Sequence, residues 1–169
     1  MEPIYLIMIK IIHQQMDQQY KKEREDWINI GINKGYSCNP ETGEVYGIRG
    51  NLLTAELEGY KMMRIKNNGE NRAVFQHQFI WYYVNREVVD CLDHINGDKK
   101  DNRITNLRSV TQQQNNFNRK AKGYHFSKRL NKWHSQINFN GDKIYLGLFN
   151  TKDEAHQAYL NAKKLYHKI

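Results

Sequence analysis

Residues 92–119 read LDHINGDKKDNRITNLRSVTQQQNNFNR. Asp93 and His94 close an apolar run; a long polar loop follows, then Asn-Leu-Arg and an Asn-rich segment of helical character. Side chains this polar rarely build a core, because every buried donor or acceptor must find a partner. A chain of 169 residues with such a stretch in its middle is therefore expected to fold as small modules rather than around one large core.

The charge supports that division. Residues 1–118 contain 15 Lys/Arg and 15 Asp/Glu, and residues 119–169 contain 11 against 3, so the last third carries the whole +8. Such an asymmetry is a polyanion-binding signal. The two cysteines, Cys38 and Cys91, lie far apart and form no CxxC pair. They read as free thiols in a reducing compartment, with neither a disulfide framework nor a structural zinc site expected. The N-terminal IYLIMIKII is interrupted by Lys10 and is far shorter than the roughly 20 apolar residues of a membrane span. Glu2 stands where a signal peptide would carry positive charge, so a soluble, cytoplasmic protein with no membrane partner is expected.

Four segments follow from the patterning. Residues 4–24 predict a helix, with Ile4, Ile7, Met8, Ile11 and Ile12 at helical spacing, in an N-terminal segment spanning 1–34. Its apolar face is expected to pack within the chain. Residues 35–75 predict a small β-rich region, in which Asn68-Gly69 between YKMMRI and RAVF signals a hairpin. In 76–120, QHQFIWYYV predicts a helix with Phe79, Ile80 and Tyr83 on one face, and VVDCLD a half-buried strand. In 121–169, GYHFSK, KWHSQINF and KIYLGLF predict three antiparallel strands, and Thr151-Lys-Asp-Glu154 a capping box. The helix that follows offers Ala155, Ala158, Tyr159, Ala162, Leu165 and Tyr166 to the sheet. The fold class is α+β.

Asp93, His94 and Asn115 form a chemically coherent set if the fold brings them together. A carboxylate and an amide oxygen are hard ligands suited to Mg²⁺, or to Mn²⁺ in its place. A histidine left off the metal can deprotonate water near neutral pH. Thr111 is placed to cap the following helix, with Asn115 in its first turns. Taken singly, each of these residue types is an ordinary turn former; the set and its spacing carry the signal.

At these residues the sequence resembles the histidine–asparagine–histidine (HNH) endonucleases, in the phage-type form whose last motif position is asparagine. DHINGDKKDNRITNLRSVTQQQN carries the Asp-His pair, the Gly-containing loop, Asn-Leu-Arg and the terminal Asn at the family's spacing. The resemblance implies a ββα-metal core with VVDCLD and LRSVT as strands and Gln112–Arg119 as helix. It implies one divalent metal ion on Asp93 and Asn115 and His94 as general base. Asn106 would tie the loop down and help orient His94. Lys99 and Arg108 become candidate phosphate contacts, and His77 a structural member of the preceding helix. The segment 35–75 resembles the region that precedes the core in related phage nucleases, where it would help hold DNA; its balanced charge leaves a purely structural role as the alternative.

The last module resembles the DNA-binding domain of plant ethylene-response factors (the Apetala type), through Gly123, Lys132-Trp133, YLGLF and Thr-Lys-Asp-Glu-Ala followed by Ala158-Tyr159. That family lays its three-stranded sheet in the DNA major groove. The resemblance implies candidate contacts at His125, Ser127, Lys128, Arg129, Lys132, Trp133, His134, Gln136, Lys143 and Tyr145, with Arg119 and Lys122 at the entry. Trp133 suits both a DNA contact and sheet packing. His125 and Phe126 depart from the plant pattern, so base preference does not transfer. Phe126, Phe139, Leu146 and Phe149 read as core or edge packing.

The resulting expectation is a metal-dependent homing-type endonuclease acting on double-stranded DNA in a phage-infected bacterial cell. It would leave 5′-phosphate and 3′-hydroxyl ends, work as a monomer or weak dimer, and need no small-molecule cofactor. The alternatives are a non-catalytic DNA-binding regulator on an HNH scaffold and an RNA-binding or packaging protein. The Asp93, His94 and Asn115 set argues against the first, since a scaffold has no use for it. The lack of an aromatic RNA-recognition signature argues against the second.

Overall fold

Helix α1 runs from Ile4 to Asn33, well past the expected end at residue 24. It also docks by the opposite part of its sequence from the one expected. Ile4, Ile7, Met8, Ile11 and Ile12 are 42–77% exposed, so the apolar run does not pack within the chain. The charged second half does. Lys21 pairs with Asp90 and Glu23 with Arg72, Asn29 donates to the Tyr82 hydroxyl, and that hydroxyl donates to Glu25. Ile28 is buried, and Gly31 lies so close to Ile65 that a β-carbon there would stand 2.8 Å from its Cδ1. Apolar spacing specifies the helix, but contact with the strands decides which stretch is covered.

This is a computed structural model that describes residues 3–118 and 121–167. The chain divides into two units, one ending at Ser109 and the other starting at Val110. The first is α+β. After α1 come the hairpin β1 (Ser37–Asn39) and β2 (Glu44–Tyr46), then β3 (Glu56–Leu57), β4 (Tyr60–Asn67) and β5 (Glu70–Phe75) in the order β3-β4-β5. Asn68 and Gly69 both take positive φ between β4 and β5, the backbone that a tight hairpin turn requires. Helix α2 (Gln76–Asn85) follows directly. The core joins Ile28, Val45, Met63, Ile65, Val74, Phe79, Ile80, Tyr82 and Leu107. Tyr82 is buried where Tyr83 was expected, and Tyr83 packs at the edge. Strands β6 (Cys91–His94) and β7 (Leu107–Val110) make a separate two-stranded sheet.

The second unit begins with α3 (Gln112–Asn118), followed by β8 (Tyr124–Ser127), β9 (Lys132–Phe139), β10 (Asp142–Phe149) and α4 (Lys152–Tyr166). The sheet order is β10-β9-β8, antiparallel throughout. Thr151 and Glu154 form the full capping box on α4. Ile137, Tyr159 and Ala162 are the core, with Ile144, Leu146, Leu160 and Tyr166 against it. Leu165 is 69% exposed, not packed on the sheet as expected; Leu160 is the leucine that faces inward. Phe117 of α3 stacks on His167 at 4.0 Å, which ties α3 to this unit. Among the described residues no helix is long and apolar enough to cross a membrane.

Candidate active site and basic sheet

Strand β6 delivers Asp93 and His94 at its end, both buried. The Asp93 Oδ2 accepts from Arg108 Nε at 2.9 Å and Nη2 at 2.7 Å, across from β7. Arg108, a candidate phosphate contact from sequence, thus stands beside the carboxylate as its counter-charge. Charge-assisted bonds of this kind are shorter and stronger than neutral ones.

The loop from 95 to 106 is densely bonded. Asn106, buried, accepts from the Asn96 N–H at 3.1 Å and donates to Asn96 Oδ1 at 3.0 Å and the Asp101 carbonyl at 2.8 Å. The Ile95 N–H donates to the Asn106 carbonyl at 2.9 Å. Arg103 forks onto both oxygens of Asp101 at 2.7 and 2.6 Å, and this bonding holds the Asp101 carboxyl down at about 2. What looks in sequence like an overlong polar loop is held together by its own side chains.

The His94 ring lies among aromatic neighbours. Its Nε2 is 3.1 Å from Asn102 Oδ1. His77 meets it edge-on at 5.2 Å, and Tyr60 lies 6.0 Å away. Burial pushes His77 down to about 3, helped by positive charge from His94 and Arg24, so that ring stays neutral near pH 7. Lys99 places its ammonium 4.3 Å over the Tyr60 ring, within cation–π range. Sequence reading missed Asn102 and Tyr60. The Asp-Asn-Arg triplet inside the loop contains Asn102, but nothing local says that its side chain reaches His94. Cys38 is a free thiol, and burial pushes it up to about 12.

Asn115 sits in the second unit, on α3. That helix opens with a reciprocal cap: the Gln114 N–H donates to Thr111 Oγ1 at 3.1 Å, and the Thr111 N–H to Gln114 Oε1 at 2.9 Å. Arg119 lies outside the described residues. Lys122 is exposed just before β8.

Cross-strand register sorts the remaining candidates by face. His125 pairs with His134, Ser127 with Lys132, Gln136 with Tyr145 and Asn138 with Lys143. The rings of His125 and His134 are 4.6 Å apart, and those of His134 and Tyr145 4.8 Å. Ser135, on the alternate face, is fully buried and donates to the Ala155 carbonyl of α4 at 2.8 Å. The face carrying His125, Lys132, His134, Gln136, Lys143 and Tyr145 is therefore the one turned away from α4. Lys128 and Arg129 are exposed in the β8–β9 turn. Trp133 shares the parity of Ser135, pairs with Phe126 and Phe149, and packs on Phe126 at 5.1 Å. Strand alternation thus removes Trp133 from the outer row of candidate contacts. Phe126 remains 43% exposed at the edge.

A buried Asp-His pair at the end of a short strand, a tethered polar loop and a returning strand are features of an HNH nuclease core. Residues 74–117 match the family model of the HNH endonucleases. Two relatives extend the match. The chain is 30% identical over 103 residues to the DNA endonuclease I-HmuI of Bacillus phage SP01, covering 58% of this chain and 59% of the relative. It is 26% identical over 106 residues to an uncharacterized HNH endonuclease of Acanthamoeba polyphaga mimivirus, covering 60% of this chain and 32% of the relative. The chain thus spans less than two thirds of either relative. A solved structure described as DNA binding and cleavage by the HNH homing endonuclease I-HmuI aligns at 31% identity and a TM-score of 0.43, over 49% of this chain and 50% of that one.

Proposed function

We propose that the chain is a metal-dependent endonuclease of the HNH homing type acting on double-stranded DNA. One observation carries the reading: Asp93 and His94 are buried side by side in a family-matched segment, the carboxylate paired with Arg108 and the ring held by Asn102. His94 takes a proton from water as the water oxygen attacks phosphorus. The P–O3′ bond breaks, the phosphate stays on the 5′ end, and the leaving O3′ takes up a proton to become a hydroxyl. Asp93, an anionic oxygen donor with charge-assisted support, suits a hard dication, and the neutral amide oxygen of Asn115 is the other donor type such an ion takes. A divalent ion held by Asp93, Mg²⁺ or Mn²⁺, would polarise the phosphodiester and stabilise the leaving oxygen.

The second unit anchors the nuclease on the duplex. Support comes from the +8 concentrated in residues 119–169 and from the outward row His125, Lys132, His134, Gln136, Lys143 and Tyr145. Lys and Arg would bear mainly on phosphates, while Gln136 and Arg129 are suited to base edges. Incubating supercoiled plasmid with the protein and Mg²⁺ tests the catalytic half. His94→Ala is expected to lower cleavage by about 10²- to 10⁴-fold while leaving duplex binding intact. Identical products from wild type and His94→Ala would sink the reading.

A further inference from the structure

Asn102 occupies an expensive position. It is 1% exposed, and its Nδ2 has no hydrogen-bond partner among the described residues. A buried donor left unpaired is destabilising, a penalty that an apolar residue of similar size would avoid. Its Oδ1 is 3.1 Å from His94 Nε2. An amide oxygen can only accept, so this contact requires the proton on Nε2 and leaves Nδ1 as the basic nitrogen of the neutral ring.

The backbone that carries Asn102 is braced from the other end of the unit. Gly43, in the β1–β2 turn with φ +72°, lies against it: a β-carbon there would come 2.5 Å from the Arg103 nitrogen and 2.6 Å from the Asn102 carbonyl carbon. Both obstacles are backbone, so neither can rotate away. Two residues on, the Ile104 N–H donates to the Pro40 carbonyl at 2.8 Å. The hairpin turn therefore grips the segment 102–104 from behind, while the Asn102 side chain reaches forward to His94.

We propose that Asn102 is a positioning residue that fixes His94 as its Nε2–H tautomer, and that the β1–β2 turn is its buttress. This gives the small β region before the nuclease core a task at the reacting centre. The catalytic consequence rests on the reading of His94 as the base; the tautomer itself does not.

The test is a ¹⁵N imidazole correlation spectrum of the full chain at mildly alkaline pH, with His94 assigned by its loss in His94→Gln. Wild type is expected to show the proton on Nε2. Asn102→Leu should mix the tautomers and lower kcat roughly a hundredfold with KM for duplex unchanged. Asn102→Asp, which keeps an acceptor in place, should retain the tautomer and recover most of kcat. Gly43→Ala should reproduce the Asn102→Leu spectrum with Asn102 intact. A wild-type proton on Nδ1 overturns the proposal without any variant having to fold, and so does an unchanged spectrum or kcat in Asn102→Leu. A wild-type protein that cuts no DNA yet shows the Nε2–H tautomer, mixed with the other in Asn102→Leu, overturns the nuclease reading and leaves the positioning role standing.

Discussion

The two units use polar side chains in opposite ways. Around His94, polar groups are buried and held to particular partners: Asp93 to Arg108, Asn102 to His94, Asn106 to three atoms of one loop. On the second unit's outer sheet face they stand in a row set by strand alternation, with α4 filling the other side. A reacting centre needs fixed angles and few waters, and burial supplies both. A surface for a polyanion needs charge and reach, which exposure supplies at little structural cost. Under the proposed function, changes in the first unit should therefore be read in rates or in its own stability, and changes on the sheet in affinity.

The sharpest test of that separation is the core. Phe79→Ala removes a fully buried ring from the first unit and is expected to cost about 3–5 kcal/mol there. Calorimetry should show that unit's transition falling while the second unit's stays; a common fall would break the comparison. Next is acid. His77 is held neutral with its pKa at about 3, well below the usual value of 6.5. Between those values the unfolded chain binds the extra proton, so stability rises with pH across this window and is lost as pH falls from 6.5 toward 3. His77→Phe should flatten that limb in urea titrations at a series of pH values; an unaltered slope would show that other groups set it. Lys132→Ala with Lys143→Ala comes third. Each lysine withdrawn from a phosphate should reduce the salt slope of duplex binding by about 1, with cleavage at saturating protein unchanged. The smallest effect is Thr151→Ala, which deletes a cap on α4 and should cost about 1 kcal/mol, visible in the second unit's transition alone.

What could be seen in the sequence was local. Asn68-Gly69, Thr151 to Glu154 and Thr111 to Gln114 each encode a turn or cap within four residues, and each forms. The Asp93-His94 pair and the bonds of Asn106 likewise follow from one continuous stretch. What escaped depends on residues that meet from a distance. Asn102 matters because its side chain returns to His94 and because a turn near Gly43 presses on its backbone. Trp133 leaves the outer row through its parity with Ser135, which composition cannot reveal. Leu165 and Leu160 both suit a helix, but the sheet's position chose Leu160.

Helix α1 is one rod by hydrogen bonding but two by solvent exchange. From Lys21 onward its residues are tied to β5, α2 and the segment before β6, and its amides should open only with the unit itself. The stretch ahead of that, with Ile4 through Tyr20 largely exposed, has little beyond its own turns to hold it. An isolated helix of that length is marginal in water. A deuterium label should therefore enter α1 as a wave from Ile4 and halt near the first anchored charge, turning one continuous helix into a ruler of where the fold begins to grip.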